Sequence, residues 1–222
     1  MEALERLEIC PEGVVTNSVI WMHGLGADGH DFEPVVDMLD IPRTRFVLPH
    51  APRRPVTINN GYSMPAWYDL YGLDAASPQD KTGIEQSRTQ IESLIATEVS
   101  RGIPTQRIVL AGFSQGGAIA LHTGLRHPQR LAGIIALSTY LPLKPSLAEE
   151  ATRVNADLPI FMAHGTFDDV ISMTTNQGSR EILEQMHYPL EWHAYPMAHS
   201  VCEEEIADIR RFLVRVLGLD QA

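Results

Sequence analysis

The stretch Arg107-Ile108-Val109-Leu110-Ala111-Gly112-Phe113-Ser114-Gln115-Gly116-Gly117-Ala118-Ile119-Ala120-Leu121 decides the architecture. Residues 107–111 read as a buried strand. A Gly-x-Ser-x-Gly turn follows, and then a run of small and apolar residues suited to a tightly packed helix. A serine on so sharp a strand-to-helix turn projects its hydroxyl outward, and glycines flank it because the turn packs too closely for side chains. The helix start also aims backbone N–H groups toward developing negative charge. Ser114 is the candidate nucleophile, and the strand-turn-helix context is what lifts it above a chance Gly-rich turn.

Outward from this point, further short apolar runs at 18–22, 45–48, 133–137, 159–163 and 190–195 alternate with longer amphipathic segments. Runs so continuously apolar fit strands covered on both faces, so the fold class expected is α/β, with a mostly parallel central sheet and helices on both sides. Residues 84–100 predict a helix, with Ile84, Ile91, Leu94, Ile95 and Val99 on one face and a Thr82-x-x-Glu85 capping box. A final helix over 203–217 carries acids early and Arg210, Arg211 and Arg215 late, in accord with the helix dipole. Residues 49–80 predict a long loop. It holds five of the fifteen prolines yet many large side chains, among them Ile58, Tyr62, Met64, Trp67, Tyr68, Leu70, Tyr71 and Leu73, which marks it as a candidate substrate wall.

A hydrolytic serine needs a base and an acid, and in this type of fold they follow the nucleophile in the order acid, then histidine, each on a loop after a strand. After the run at 159–163 comes His164-Gly165-Thr166-Phe167-Asp168-Asp169-Val170, and after 190–195 comes Pro196-Met197-Ala198-His199-Ser200. His199 is the expected general base, and spacing leaves Asp168 and Asp169 as alternatives for its carboxylate partner. After the first strand, His23-Gly24-Leu25-Gly26-Ala27-Asp28-Gly29 forms a Gly-rich loop able to donate an N–H to an oxyanion, with Leu25 and Gln115 as the expected backbone donors. The same loop reads as G-x-G-x-x-G, but Pro49 and His50 stand where a dinucleotide site needs a ribose-binding acid. His23 and His164, each before a glycine at a strand end, are expected to brace these loops. His30, His50, His122, His127, His187 and His193 show no metal-ligand spacing, so neither metal nor other cofactor is expected.

At 222 residues the chain is expected to form a single domain over 1–222. The interval between Ser138 and Pro159 is too short for a large cap domain. No run approaches the length of a membrane span, the acidic N-terminus lacks the features of a secretory signal, and a cytoplasmic address is expected. Cys10 and Cys202 are widely separated and read as reduced thiols. A formal net charge of −11 argues against nucleic acid as a partner and against simple electrostatic adhesion to anionic membranes.

With these motifs in place, the chain resembles the carboxylesterase/acyl-protein thioesterase (phospholipase/carboxylesterase) family of α/β-hydrolases. The resemblance rests on residues 23–32, on Pro55-Val56-Thr57-Ile58-Asn59, on Met64-Pro65-Ala66-Trp67-Tyr68-Asp69, on residues 111–117 and on Ala136-Leu137-Ser138-Thr139-Tyr140-Leu141. It implies an α/β-hydrolase fold, Asp168 rather than Asp169 as the acid, and a backbone oxyanion hole at Leu25 and Gln115. Where family members often carry Gly-His at the base, this chain has Ala198-His199. Where many have Pro soon after the acid it has Asp169 and Ser172. The substrates implied are small acyl esters, lysophospholipids or S-acylated proteins, cleaved through a Ser-His-Asp triad and an acyl-enzyme. Trp67, Met64 and Leu73 are the expected acyl contacts. At most peripheral membrane contact, or a homodimer interface, would use remaining exposed apolar surface. The rival readings are a lysophospholipase and a non-catalytic ligand-binding α/β-hydrolase.

Overall fold

The computed structural model describes residues 4–73 and 77–220. Seven strands form one sheet in the order β1-β3-β2-β6-β7-β8-β9. They are β1 (Arg6–Ile9), β2 (Asn17–Met22), β3 (Thr44–Pro49), β6 (Ile108–Phe113), β7 (Gly133–Leu137), β8 (Ile160–Gly165) and β9 (Leu190–Tyr195). All neighbours pair in parallel except β1, which runs antiparallel to β3 at the edge. The helices are α1 (Glu33–Leu39), α2 (Lys81–Ser100), α3 (Gln115–Arg126), α4 (Lys144–Glu150), α5 (Met173–Gln185) and α6 (Glu203–Val216).

The central strands explain their own apolar continuity. Ile20, Met22, Leu110, Ile134, Ala136, Ile160 and Met162 point into one core with residues of α2, α3, α4 and α5. Val19, Trp21, Val109, Ala111, Ile135, Leu137, Phe161 and Ala163 point into a second core with α1 and α6. Alternate residues thus serve opposite faces, and both faces are dry. The chain is therefore an α/β-hydrolase-like fold, and no cap domain is evident among the described residues.

Two helix details differ from expectation. The cap of α2 is Asp80, whose Oδ1 accepts from Gly83 N–H at 2.9 Å, and not Thr82. Glu85 turns instead to His122 (2.9 Å) and Arg88 (3.4 Å). Val99 is exposed. The buried position at that end of α2 belongs to Glu98, held by Arg45 and Arg101 at 2.9 Å each.

The segment 49–80 is more ordered than a loop. It contains an antiparallel hairpin of β4 (Arg53–Val56) and β5 (Tyr62–Pro65), turned through Asn60 and Gly61 at positive φ. Pro55 and Pro65 fit because this two-stranded ribbon leaves outer edges that need no N–H donor. Asp69 closes the turn from behind, accepting from Thr57 N–H at 2.7 Å and from its hydroxyl at 2.6 Å.

Candidate active site

Four loops meet at the carboxyl ends of β2, β6, β8 and β9, the edge at which open α/β sheets place their ligands. Ser114 stands between β6 and α3 with φ 54° and ψ −120°, a conformation that a non-glycine residue holds only under constraint. Packing supplies that constraint. Ser114 N–H donates to Leu137 O at 2.8 Å, and its own carbonyl accepts the Thr139 hydroxyl at 2.6 Å. A Cβ on Gly112 would strike the backbone of Gly116, and one on Gly116 would strike the carbonyls of Met22 and His23, so both flanking glycines are required by contact.

Asp168, on the loop after β8, has a fully buried carboxylate whose surroundings are all donors. Oδ1 accepts from Val170 N–H (2.9 Å) and Ile171 N–H (2.8 Å), and Oδ2 lies 2.7 Å from His199 Nδ1 and 3.4 Å from His164 Nε2. Asp169 next to it is exposed. Bonding of Nδ1–H to a carboxylate leaves Nε2 of His199 as the basic nitrogen. The ring of His199 packs on Phe113, the residue before the serine, with ring centroids 4.7 Å apart.

The two bracing histidines are both buried. His23 Nδ1 donates to Gly24 O (2.7 Å) and its Nε2 accepts Ala51 N–H (3.0 Å), which fixes the tautomer. His164 Nε2 donates to Ile171 O at 2.8 Å, holding the acid loop closed. Burial pushes both rings below the ordinary histidine pKa, so they serve as neutral struts at physiological pH.

Ser114, Gln115, His199, Gly24 and Leu25 all line one open cavity of about 590 Å³, whose remaining wall includes Tyr68, Leu70, Leu73, Phe113, Val170, Ile171 and Val201. Leu73 is thus on the wall, as expected of an acyl contact. Trp67 and Met64 are not. Trp67 is fully buried behind the site, its Nε1–H donating to His23 O at 2.9 Å. Met64 lies on the hairpin beside Gly26, within 3.4 Å of Asn59 Nδ2. Both are corrected to supporting positions, because the hairpin turns Trp67 inward against the loop after β2. Tyr68 takes the wall position, its hydroxyl 2.8 Å from that of Tyr140.

Gln115 carries a role that the motif alone does not reveal. Its side-chain oxygen accepts Trp67 N–H (2.8 Å) and its amide donates to Tyr68 O (2.7 Å), so the side chain staples the 49–80 segment to the serine turn. Gly26 N–H adds a bond to Pro65 O at 2.9 Å. Such pairings link residues more than 35 positions apart and have no local pattern. Among the described residues, no group of three or more His, Cys, Asp or Glu is placed to hold a metal ion, and no helix is long and apolar enough to cross a membrane.

The sequence profile of the phospholipase/carboxylesterase family matches residues 6–217. The chain is 41% identical to acyl-protein thioesterase 1 of Neurospora crassa over 214 residues, covering 91% of this chain and 87% of that one. It is 38% identical to acyl-protein thioesterase 1 of Cryptococcus neoformans, covering 97% and 98% respectively. The crystal structure of Zea mays acyl-protein thioesterase 2 superposes with a TM-score of 0.88 at 26% identity, over 96% of this chain and 99% of that one.

Proposed function

Because the chain belongs to the phospholipase/carboxylesterase family, and is thus a carboxylesterase- and thioesterase-like hydrolase, we propose that Ser114, His199 and Asp168 form its catalytic triad. The observation that carries this reading is the convergence of Ser114 and His199 on one cavity wall, with His199 bonded at 2.7 Å to a buried carboxylate.

In the mechanism that follows, His199 Nε2 takes the Ser114 proton as Oγ attacks the acyl carbonyl carbon. The carbonyl π pair moves onto oxygen, where the N–H groups of Leu25 and Gln115 receive it, the side chain of Gln115 being engaged with Trp67 and Tyr68. Collapse of this intermediate breaks the C–O or C–S bond, and the leaving alcohol or thiol departs with the proton from Nε2. Water then attacks the acyl-serine, giving its proton to Nε2, and the second collapse returns that proton to Ser114 Oγ as the carboxylic acid leaves. Asp168 stays ionised throughout and stabilises the imidazolium.

The substrates proposed are small acyl esters or S-acylated proteins, whose chains the apolar wall of Tyr68, Leu70, Leu73 and Ile171 accommodates. Esters and thioesters pass through the same oxyanion, so preference between them rests with the wall. Exposed Phe167, Val170 and Leu73 near the mouth suit peripheral lipid or self-contact. Labelling with a fluorophosphonate probe, alongside turnover of oxygen and sulfur esters of graded acyl length, tests the assignment. Ser114→Ala is expected to abolish labelling and lower kcat by about 10⁴–10⁶; retention of most activity would overturn it.

A further inference from the structure

A second cavity of about 450 Å³ adjoins the first and shares Tyr68, Leu70, Leu73, Tyr140 and Ile171 with it. Its far wall brings in the side chain of Lys144, the first residue of α4. Lys144 is half-buried, lining the cavity with Leu143, Pro145 and Pro78, and no carboxylate among the described residues forms an ion pair with it. Asp69, the acid that lines the same cavity, is already occupied by the two bonds from Thr57. Glu181, the acid that acts on Lys144 electrostatically, is exposed. Burial has pushed the Lys144 pKa below its ordinary value, the mark of a cation partly withdrawn from water.

The neighbours of the ammonium are also donors. Gln79, which uses its side-chain oxygen to accept Leu143 N–H at 2.6 Å and so keeps its amide N–H₂ for another partner, lines the same space, as does Ser77. Gly178 presents no side chain where Lys144 Nζ lies, so α5 leaves room for the cation. A largely apolar shared wall therefore lies between Ser114 and a basic recess.

We propose that this recess binds an anionic oxygen group, carboxylate or phosphate, carried on the substrate at a distance from the scissile carbonyl, and that Lys144 is the specificity-determining residue for such acid-terminated acyl substrates. The inference rests on the esterase reading above and deepens it. A neutral chain fills the shared passage by burial alone; an acid-terminated chain adds a charge-assisted hydrogen bond in a partly desolvated site, worth about 10- to 100-fold in kcat/KM.

The test compares aryl half-esters of dicarboxylic acids with length-matched neutral alkanoate esters, over a series of chain lengths, in the wild type, Lys144→Met and Lys144→Arg. A second arm compares lysophosphatidate with the monoacylglycerol of the same chain, which places the anion on the alcohol side. The expected result is an acid-over-neutral ratio of kcat/KM that peaks at one chain length, falls about 10- to 100-fold in Lys144→Met and stays within about threefold in Lys144→Arg. A Lys144-dependent ratio in the lysophosphatidate arm alone keeps the recess as an anion site and assigns it to the leaving group. A ratio equal in wild type and Lys144→Met in both arms overturns the proposal. Absence of Ser114-dependent turnover of the neutral esters would instead overturn the esterase reading.

Discussion

Asp168 and Asp169 are adjacent, chemically identical and differ only in surroundings. The first is enclosed by two backbone N–H donors and two imidazoles, whereas the second faces solvent. Asp168→Asn is expected to lower kcat about 10⁴-fold, since the amide cannot hold His199 in the required tautomer. Asp169→Asn should stay within about twofold, and steady-state kinetics of the pair separates the two. Trp67 makes a complementary case. An aromatic residue in a Pro-rich segment reads as a substrate wall, yet this one is buried and bonded to His23 O. Trp67→Phe leaves that carbonyl unpaired at a cost of about 1–3 kcal/mol. It should reduce kcat by loosening the oxyanion loop while leaving the acyl-length profile in place; a shifted profile would return Trp67 to the wall. Chemical type and position marked the proposed nucleophile and base in the sequence and left the acid between Asp168 and Asp169, whereas the inward turn of Trp67 and the staple by Gln115 depend on contacts made only after folding.

Elements were legible in proportion to their burial. The six strands with apolar runs stand within about two residues of their expected bounds, and for the five buried ones two dry faces leave no other pattern. Residues Arg6-Leu7-Glu8-Ile9 were missed, since a short edge strand with polar residues between apolar ones gives a weak signal. The hairpin was hidden by its prolines. At the serine turn, the approach of α3 to β2 sets a strict limit: Gly116→Ala would force a Cβ into two main-chain carbonyls that cannot swing away. The expected loss is at least about 1–3 kcal/mol in denaturant unfolding. At the start of α6, Glu205 is buried with neither carboxylate oxygen bonded, and burial raises its pKa to about 8. The unfolded carboxyl ionises above pH 4.5 while the folded one stays neutral to about 8, so stability falls as pH rises across that window. Glu205→Gln should therefore be stabilising by an amount that grows from pH 4.5 to 8 and vanishes below it, as thermal melts across pH would register.

For the molecule as a whole, an opposite trend comes from His23, His122, His127 and His164. Burial lowers the pKa of each, that of His122 to about 4. The unfolded rings protonate below 6.5 while the folded ones resist, so stability drops as pH falls through 6.5. The histidines act on the acid side and Glu205 on the alkaline side of neutrality. Maximum stability is thus expected near pH 6–7, and urea midpoints that rise steadily from pH 5 to 9 would contradict this balance. The α/β architecture and the order of the candidate-site loops could be inferred from sequence; the second cavity that shares Tyr68 and Tyr140 with the first could not, since its walls come from distant segments.

Helix α3 is buried at every one of its twelve residues, from Gln115 to Arg126, between the sheet and α2. A helix with no outer face has no partial opening that leaves its neighbours in place. Its amide protons should exchange with deuterated solvent only when the entire fold comes apart, and with a common free energy of opening under conditions where reclosing is fast. The slowest-exchanging amides would then report global stability from the helix that starts directly after Ser114, so any loss of the serine turn by unfolding would coincide with loss of the fold itself.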